Sequence, residues 1–147
     1  MTPMTAPTQA APLPGAAART AFAANAVLAW FGVVLTLVIS AAGGYEPTPV
    51  TGNLYGTHPE GLAGVVSRVA DTLSYFTIWS NTVVALSLTL LARAPGVDTF
   101  WRRVLRLDAV LMITITAIVY AVLLAPTAVV VGWSRLTDPV LHVVTPA

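Results

Sequence analysis

Long apolar stretches alternate with short polar connections along the chain. A helix rises about 1.5 Å per residue, so about 20 apolar residues are needed to cross a hydrocarbon core of roughly 30 Å. Three stretches reach that length, and a fourth begins near the end of the chain. The pattern predicts an all-α, polytopic membrane helix bundle, with spans at about residues 20–42, 69–92 and 105–125 and an incomplete span at 136–147.

The first and last stretches each have an alternative interpretation. Thr20–Ala42 carries no charge and follows Arg19, as a cleavable signal peptide would, but its apolar core is much longer than the usual 7–15 residues. Leu136–Ala147 extends only about 18 Å as a helix and has no charge after Asp138. We therefore expect this chain to be a fragment of a longer protein, or one that stops early.

Composition agrees with a membrane protein. The chain is 56% hydrophobic and 9% charged, which does not suit a soluble globule. A net charge of +1 without a basic block argues against a nucleic-acid partner and leaves membrane lipid as the predicted one. Because there is no cysteine, disulfides and thiolate metal sites are excluded. We predict neither a cofactor nor a metal.

The segments between the spans are polar or rich in Gly and Pro. Residues 1–18 lack the apolar content to order themselves and are predicted to form a disordered cytoplasmic tail, so the transmembrane domain covers residues 19–147. Gly43–Arg68 is predicted to be a loop. His58 lies in this loop with Glu60, and two metal ligands at most make a solvated histidine the simpler interpretation.

Arginine is distributed unevenly among these segments. The amino-terminal segment and the connection before the third span hold five of the seven arginines. Positive charge marks the cytoplasmic side of membrane proteins. We therefore predict a multi-pass protein of the cell membrane with a cytoplasmic amino terminus.

Polar residues line one side of the second predicted span. Ser74, Thr77 and Asn81 are three and four residues apart, which places them along one helical stripe. Lipid offers no hydrogen-bonding partner, so this stripe must face protein or a cavity. His142 is the only histidine in a predicted span. It lies roughly 6 Å from the outer end of its span, and Thr77 lies roughly 9 Å from the outer end of its own, so the two residues have about the same depth.

Asp138 precedes His142 by one helical turn, so its carboxylate can fix the imidazole tautomer that leaves the other ring nitrogen basic. Each of these residues also has a purely structural interpretation. A membrane threonine commonly bonds the backbone carbonyl one turn back. A buried histidine or Asn81 often serves only to pack helices together.

Three motifs stand out: FTIWSN at Phe76–Asn81, RLDA at Arg106–Ala109 and DPVLHVVTP at Asp138–Pro146. Together they resemble the androgen-induced-protein-like membrane family, most closely its actinobacterial Pr-six-Pr members, over roughly residues 20–147. The resemblance implies a six-helix membrane fold. From animal members it also implies a threonine hydrolase that cleaves fatty acid esters of hydroxy fatty acids, with the family's catalytic Thr and His falling on Thr77 and His142.

Our leading hypothesis is ester hydrolysis at the outer leaflet. His142 takes the Thr77 hydroxyl proton, Thr77 attacks the ester carbonyl, and water clears the acyl-threonine. Asn81 is expected to donate to the oxyanion and Asp138 to orient His142. The alternative is a non-enzymatic membrane scaffold or interaction protein, whose polar stripe packs helices or joins copies into a homo-oligomer. A transporter is disfavoured because no pair of spans is broken by Gly or Pro.

Overall fold

The computed structural model describes residues 15–45, 58–127 and 130–146. These residues are 80% helical and contain no strand. Three of the helices are long and apolar enough to cross a membrane. Over the described residues this confirms the predicted all-α class and supports a multi-pass membrane protein. The helices are α1 (Ala16–Ala41), α2 (Gly61–Ser74), α3 (Phe76–Arg93), α4 (Phe100–Val119, continued by a π-helical turn at Tyr120–Leu124) and α5 (Ser134–Pro139, continued by a π-helical turn at Val140–Val144).

Helix α1 begins at Ala16, inside the predicted disordered tail. Residues 16–18 are all alanine, which is the best helix former, so the helix extends back from the apolar run. The rest of the predicted tail, residues 1–14, lies outside the described residues.

The most extensive contact in the bundle is between α1 and α3. Small side chains line it, and Ala29 and Ala85 are both fully buried. Small residues allow two helix backbones to approach closely where no hydrophobic effect drives them together. Helix α4 packs on α3 and completes a buried apolar cluster that consists of Ala29, Val84, Ala85, Ala109 and Ile113.

Helix α2 caps the carboxyl end of α1. The last carbonyls of a helix have no intrahelical partner, and a cation is favourable there. The Arg68 guanidinium donates from Nε to the Ser40 carbonyl at 3.0 Å and from Nη2 to the Ala41 carbonyl at 2.8 Å. The hydroxyls of Ser40 and Thr72 also bond each other. These contacts fasten the two helices together.

The prediction of a loop over Gly43–Arg68 is wrong for its last part, which belongs to α2. Glycine in a sequence usually indicates a turn, but Gly64 lies within a helix. A Cβ added there would clash with the Pro59 carbonyl oxygen, so glycine is needed for a close backbone approach instead of a turn. Residues 46–57 of the predicted loop lie outside the described residues.

The prediction of one continuous span over residues 69–92 is also wrong. Helix α2 ends at Ser74 and α3 begins at Phe76, and Tyr75 between them is extended, with φ −76° and ψ 128°. Neither glycine nor proline stands at this break, so the usual sequence signals of a helix end are missing.

Side chains satisfy the carbonyls that this break leaves without helical partners. The indole Nε1 of Trp79 donates to the Leu73 carbonyl at 2.7 Å. The Ser74 hydroxyl donates to the Asp71 carbonyl at 2.6 Å. Unpaired carbonyls are costly near lipid, so these two bonds stabilise the interruption between α2 and α3.

Helix α4 begins at Phe100, five residues before the predicted start of the third span. Thr99 is its N-cap residue, and the Thr99 hydroxyl accepts from the Arg102 amide at 3.4 Å. The Arg102 guanidinium donates to the Ala94 carbonyl at 2.7 Å, which closes the connection between α3 and α4.

Asp98 balances part of the positive charge in that connection. Its carboxylate accepts from Arg103 and from Arg106, the latter at 2.8 Å. The hydrogen bond from Arg103 is the main cause that lowers the pKa of Asp98 below its ordinary value, against a smaller opposing effect of desolvation. Asp98 therefore stays ionised beside the arginines.

The carboxy-terminal segment, α5 and its π-helical turn, docks against α1 and α3. Leu141 is 5% exposed and packs in a cluster with Val33 and Ile78. Gly32 makes the approach possible, because a Cβ there would lie 2.9 Å from Cγ1 of Val140. The glycine thus fixes how closely this segment can lie on α1.

Replacing Gly32 with valine should detach or displace the carboxy-terminal segment, since overpacking a tight contact typically costs about 1–3 kcal/mol. The measurement is the unfolding free energy in detergent. Ala24→Val, at an exposed position of the same helix, is the matched control and should change stability little. Equal stability of the two variants would contradict the close approach at Gly32.

Candidate active site

The structure brings Thr77 and His142 together. Thr77 lies in the first turn of α3, and His142 lies in the π-helical turn after α5. The Thr77 Oγ1 and the His142 Nε2 are 3.1 Å apart, a hydrogen-bonding distance. The His142 side chain is 12% exposed, so the contact is shielded but not sealed.

The partners of the other ring nitrogen decide the tautomer of His142. Its Nδ1 lies 3.1 Å from the Asp138 carboxylate Oδ1 and 3.1 Å from the Asp138 backbone carbonyl. Both of these oxygens only accept, so in the neutral ring Nδ1 must carry the proton. The Nε2 lone pair is then free to accept the Thr77 hydroxyl proton, as a general base requires.

Thr77 differs from its neighbours in what its hydroxyl binds. Seven other threonines in the described helices have the hydroxyl within 3.4 Å of the backbone carbonyl oxygen four residues earlier, which is the usual behaviour; they are Thr20, Thr72, Thr82, Thr89, Thr114, Thr116 and Thr137. Four residues before Thr77 is Leu73, which belongs to α2 and whose carbonyl is bonded by Trp79. The break at Tyr75 therefore leaves the Thr77 hydroxyl for His142.

Asn81 bridges α3 and the carboxy-terminal segment. Its Nδ2 donates to the Thr77 carbonyl at 2.9 Å and to the Leu141 carbonyl at 3.1 Å. Both amide hydrogens are thus engaged, and the residue is fully buried. This arrangement leaves no hydrogen for the predicted oxyanion contact, so the oxyanion prediction for Asn81 does not fit the structure. Asn81 instead holds the segment that carries His142.

Ser74 is not part of the same stripe. It lies on α2, is exposed, and donates to the Asp71 carbonyl. The predicted stripe required one unbroken helix. Of its three residues, the break at Tyr75 leaves only Thr77 and Asn81 on α3.

Tyr120, which the sequence analysis did not single out, completes the cluster. Its hydroxyl donates to Asp138 Oδ2 at 2.6 Å. Its ring stacks on the His142 imidazole, with centroids 4.2 Å apart and an interplanar angle of 13°. The sequence signal was weak: a tyrosine near the end of an apolar span is typical of an interfacial aromatic.

His58 lies outside this cluster and is not simply a solvated loop histidine. Its Nδ1 is 3.0 Å from the Ser67 hydroxyl, and its Nε2 is 3.6 Å from the Asp71 carboxylate. Over residues 15–45, 58–127 and 130–146, no three or more His, Asp or Glu side chains are grouped as a metal site would need.

A shallow pocket lined by Ser87, Leu91 and Arg106 lies toward the other end of α3 from Thr77. It has room for little more than a water molecule. It is therefore separate from the Thr77 and His142 cluster.

No protein-family model, curated protein or solved structure matches this chain.

Replacing Asn81 with leucine should weaken docking of the carboxy-terminal segment, because the Leu141 carbonyl then lacks its partner in a region of low dielectric. We expect a loss of about 1–3 kcal/mol in unfolding free energy, with faster proteolysis after α4. The matched control is Asn25→Leu, since Asn25 is exposed and bonds only the Ala21 carbonyl of its own helix. If both variants behave alike, Asn81 does not hold this segment.

Proposed function

We propose that the protein is an integral membrane hydrolase of lipid esters, with Thr77 as nucleophile and His142 as general base. The observation that carries the proposal is the 3.1 Å contact between Thr77 Oγ1 and His142 Nε2, in the tautomer fixed by Asp138. A hydroxyl is a weak nucleophile unless an adjacent base removes its proton. The three side chains supply a nucleophile, a base and an orienting carboxylate.

In the proposed reaction, the Thr77 hydroxyl proton moves to Nε2 of His142 as Oγ1 bonds to the ester carbonyl carbon. The alcohol leaves with that proton, and an acyl-threonine remains. A water molecule then gives a proton to His142 and attacks the acyl carbon, which releases the acid and restores Thr77. The Asp138 carboxylate stabilises the imidazolium in both halves of the reaction.

The amino terminus of α3 is suited to the oxyanion of the tetrahedral intermediate. The first N–H groups of a helix have no intrahelical acceptor and lie at the positive end of its dipole. Thr77 is the second residue of α3, so the amides of Phe76 and Thr77 belong to this first turn. In this proposal these two amides, and not Asn81, donate to the oxyanion.

The surroundings of Thr77 favour a lipid substrate. Exposed apolar side chains lie beside Thr77 on α3 and beside His142 on its turn, namely Phe76 and Val143, with 47% and 54% exposure. An acyl chain in the bilayer can contact such residues without leaving hydrocarbon. Fatty acid esters of hydroxy fatty acids, implied by the family resemblance, have this character.

The same family resemblance also implies a fold with more helices around the site. Under this proposal the carboxy-terminal segment is the beginning of a fourth span in a six-helix fold. The arginine distribution supports a cytoplasmic amino terminus in the cell membrane, with Thr77 toward the outer leaflet.

A non-enzymatic scaffold is the second candidate, and the buried polar contacts between helices favour it. Thr116 donates to the Ser80 hydroxyl at 2.8 Å, and the Trp30 indole donates to the Thr89 hydroxyl at 3.2 Å. Such bonds hold membrane helices together without chemistry. This candidate does not explain why Thr77 bonds a tautomerically fixed imidazole.

Thr77→Val and His142→Gln should each reduce ester hydrolysis by on the order of a thousandfold or more, since a nucleophile and its base act as one unit. Thr77→Ser keeps a hydroxyl and should retain measurable turnover. The assays are hydrolysis of a medium-chain p-nitrophenyl ester in detergent and labelling by a fluorophosphonate probe, with the labelled residue located by mass spectrometry.

Thr82→Val is the matched control, because Thr82 lies on the same helix and bonds only the Ile78 carbonyl. It should hydrolyse and label like the wild type. Undiminished labelling of Thr77→Val would refute the proposal that Thr77 is the nucleophile of a hydrolase. A Thr77→Ser variant as inactive and as poorly assembled as Thr77→Val would favour the scaffold.

A further inference from the structure

We infer that Tyr120 is a positioning residue for the Thr77 and His142 pair, acting on the imidazole through its ring and on the carboxylate through its hydroxyl. This inference rests on the proposed hydrolase function. Tyr120 contacts both His142 and the Asp138 carboxylate that orients it.

The hydroxyl contact fixes the Asp138 carboxylate. Tyr120 donates to Oδ2 at 2.6 Å, whereas Oδ1 faces His142 Nδ1 at 3.1 Å. A carboxylate bonded at only one oxygen can rotate about its last torsion, which is broad and soft. Because each oxygen has its own donor, Oδ1 stays directed at Nδ1, and the reactive tautomer of His142 is maintained. Hydrogen bonds to a charged group are about twice as strong as neutral ones.

The ring contact fixes the imidazole plane. The two rings are nearly parallel, at 13°, with centroids 4.2 Å apart, so the imidazole cannot turn about its long axis without losing this stacking. Nε2 is thereby kept in the plane that meets Thr77 Oγ1. When His142 receives the proton, the imidazolium lies over an aromatic face, where a cation is favoured. The stacking therefore stabilises the state that follows proton transfer more than the resting state.

Local backbone geometry places Tyr120 for both contacts. The π-helical turn that begins at Tyr120 is closed by the Ala125 amide, which donates to the Tyr120 carbonyl at 2.8 Å. His142 lies in a second such turn, where the Thr145 amide donates to the Val140 carbonyl at 3.0 Å. π-helical turns are rare and are frequently found at functional sites. Here two of them carry the stacked pair.

The test compares Tyr120→Phe with Tyr120→Leu in the full chain, with the same p-nitrophenyl ester as substrate. Tyr120→Phe keeps the ring and should lower kcat about tenfold, as loss of one hydrogen bond to a charged group implies. Tyr120→Leu also loses the ring face and should lower kcat about a hundredfold. KM should be nearly unchanged in both, because the contacts act on proton transfer and not on substrate binding.

A double-mutant cycle separates positioning from general support of the fold. If the hydroxyl acts through Asp138, then Tyr120→Phe should have almost no further effect on kcat in an Asp138→Ala background. The matched control is Tyr45→Phe, which removes another tyrosine hydroxyl bonded to the same segment, at Thr137. This control should stay within about twofold of the wild type, since it loses only a neutral hydrogen bond away from the base.

The outcomes distinguish this inference from the function on which it rests. A wild-type chain without Thr77-dependent turnover overturns both. Wild-type kcat in Tyr120→Phe and Tyr120→Leu, or independent effects of Tyr120→Phe and Asp138→Ala, overturns the role of Tyr120 and leaves the hydrolase standing. Because Tyr120→Phe preserves the packing volume, the result does not depend on whether Tyr120→Leu folds.

Discussion

The interruption between α2 and α3 is the constraint on which the rest of the site depends. In an unbroken helix the Thr77 hydroxyl would bond the Leu73 carbonyl, as seven other threonines bond theirs, and would not be left for His142. One extended residue, Tyr75, removes that acceptor and makes Thr77 part of a new helix start. The same break thus leaves the Thr77 hydroxyl without the Leu73 carbonyl and places the first amides of a helix beside it.

A polar cluster within an apolar bundle must have its partners supplied by neighbouring helices. The inner face of α3 provides them in sequence: Thr77 contacts His142, Ser80 accepts from Thr116, and Asn81 donates to the Leu141 carbonyl. Two separate parts of the chain, α4 and the carboxy-terminal segment, are therefore held on one helix. Since each bond would be lost by sliding or rotating a neighbour, the arrangement of the helices and the arrangement of the cluster are determined together.

Hydropathy alone predicted the apolar spans, because long charge-free runs reflect what lipid permits. It could not predict the break at Tyr75, which is stabilised by the Trp79 indole and the Ser74 hydroxyl and not by glycine or proline. Thr77 and His142 could be predicted as candidate site residues because they are polar residues in apolar spans. A single sequence does not show which helices are neighbours. It therefore could not show that the amide hydrogens of Asn81 are already bonded, or that Tyr120 stacks on His142.

The two π-helical turns have an implication for how such a site can arise. Each turn holds one residue more than the α-helical turn that it replaces, so a single insertion creates it and a single deletion removes it. Either event rotates the chain that follows by about 100°. One residue more or fewer in either turn would therefore change which side chains face each other at the Tyr120 and His142 pair, without any change in side-chain chemistry.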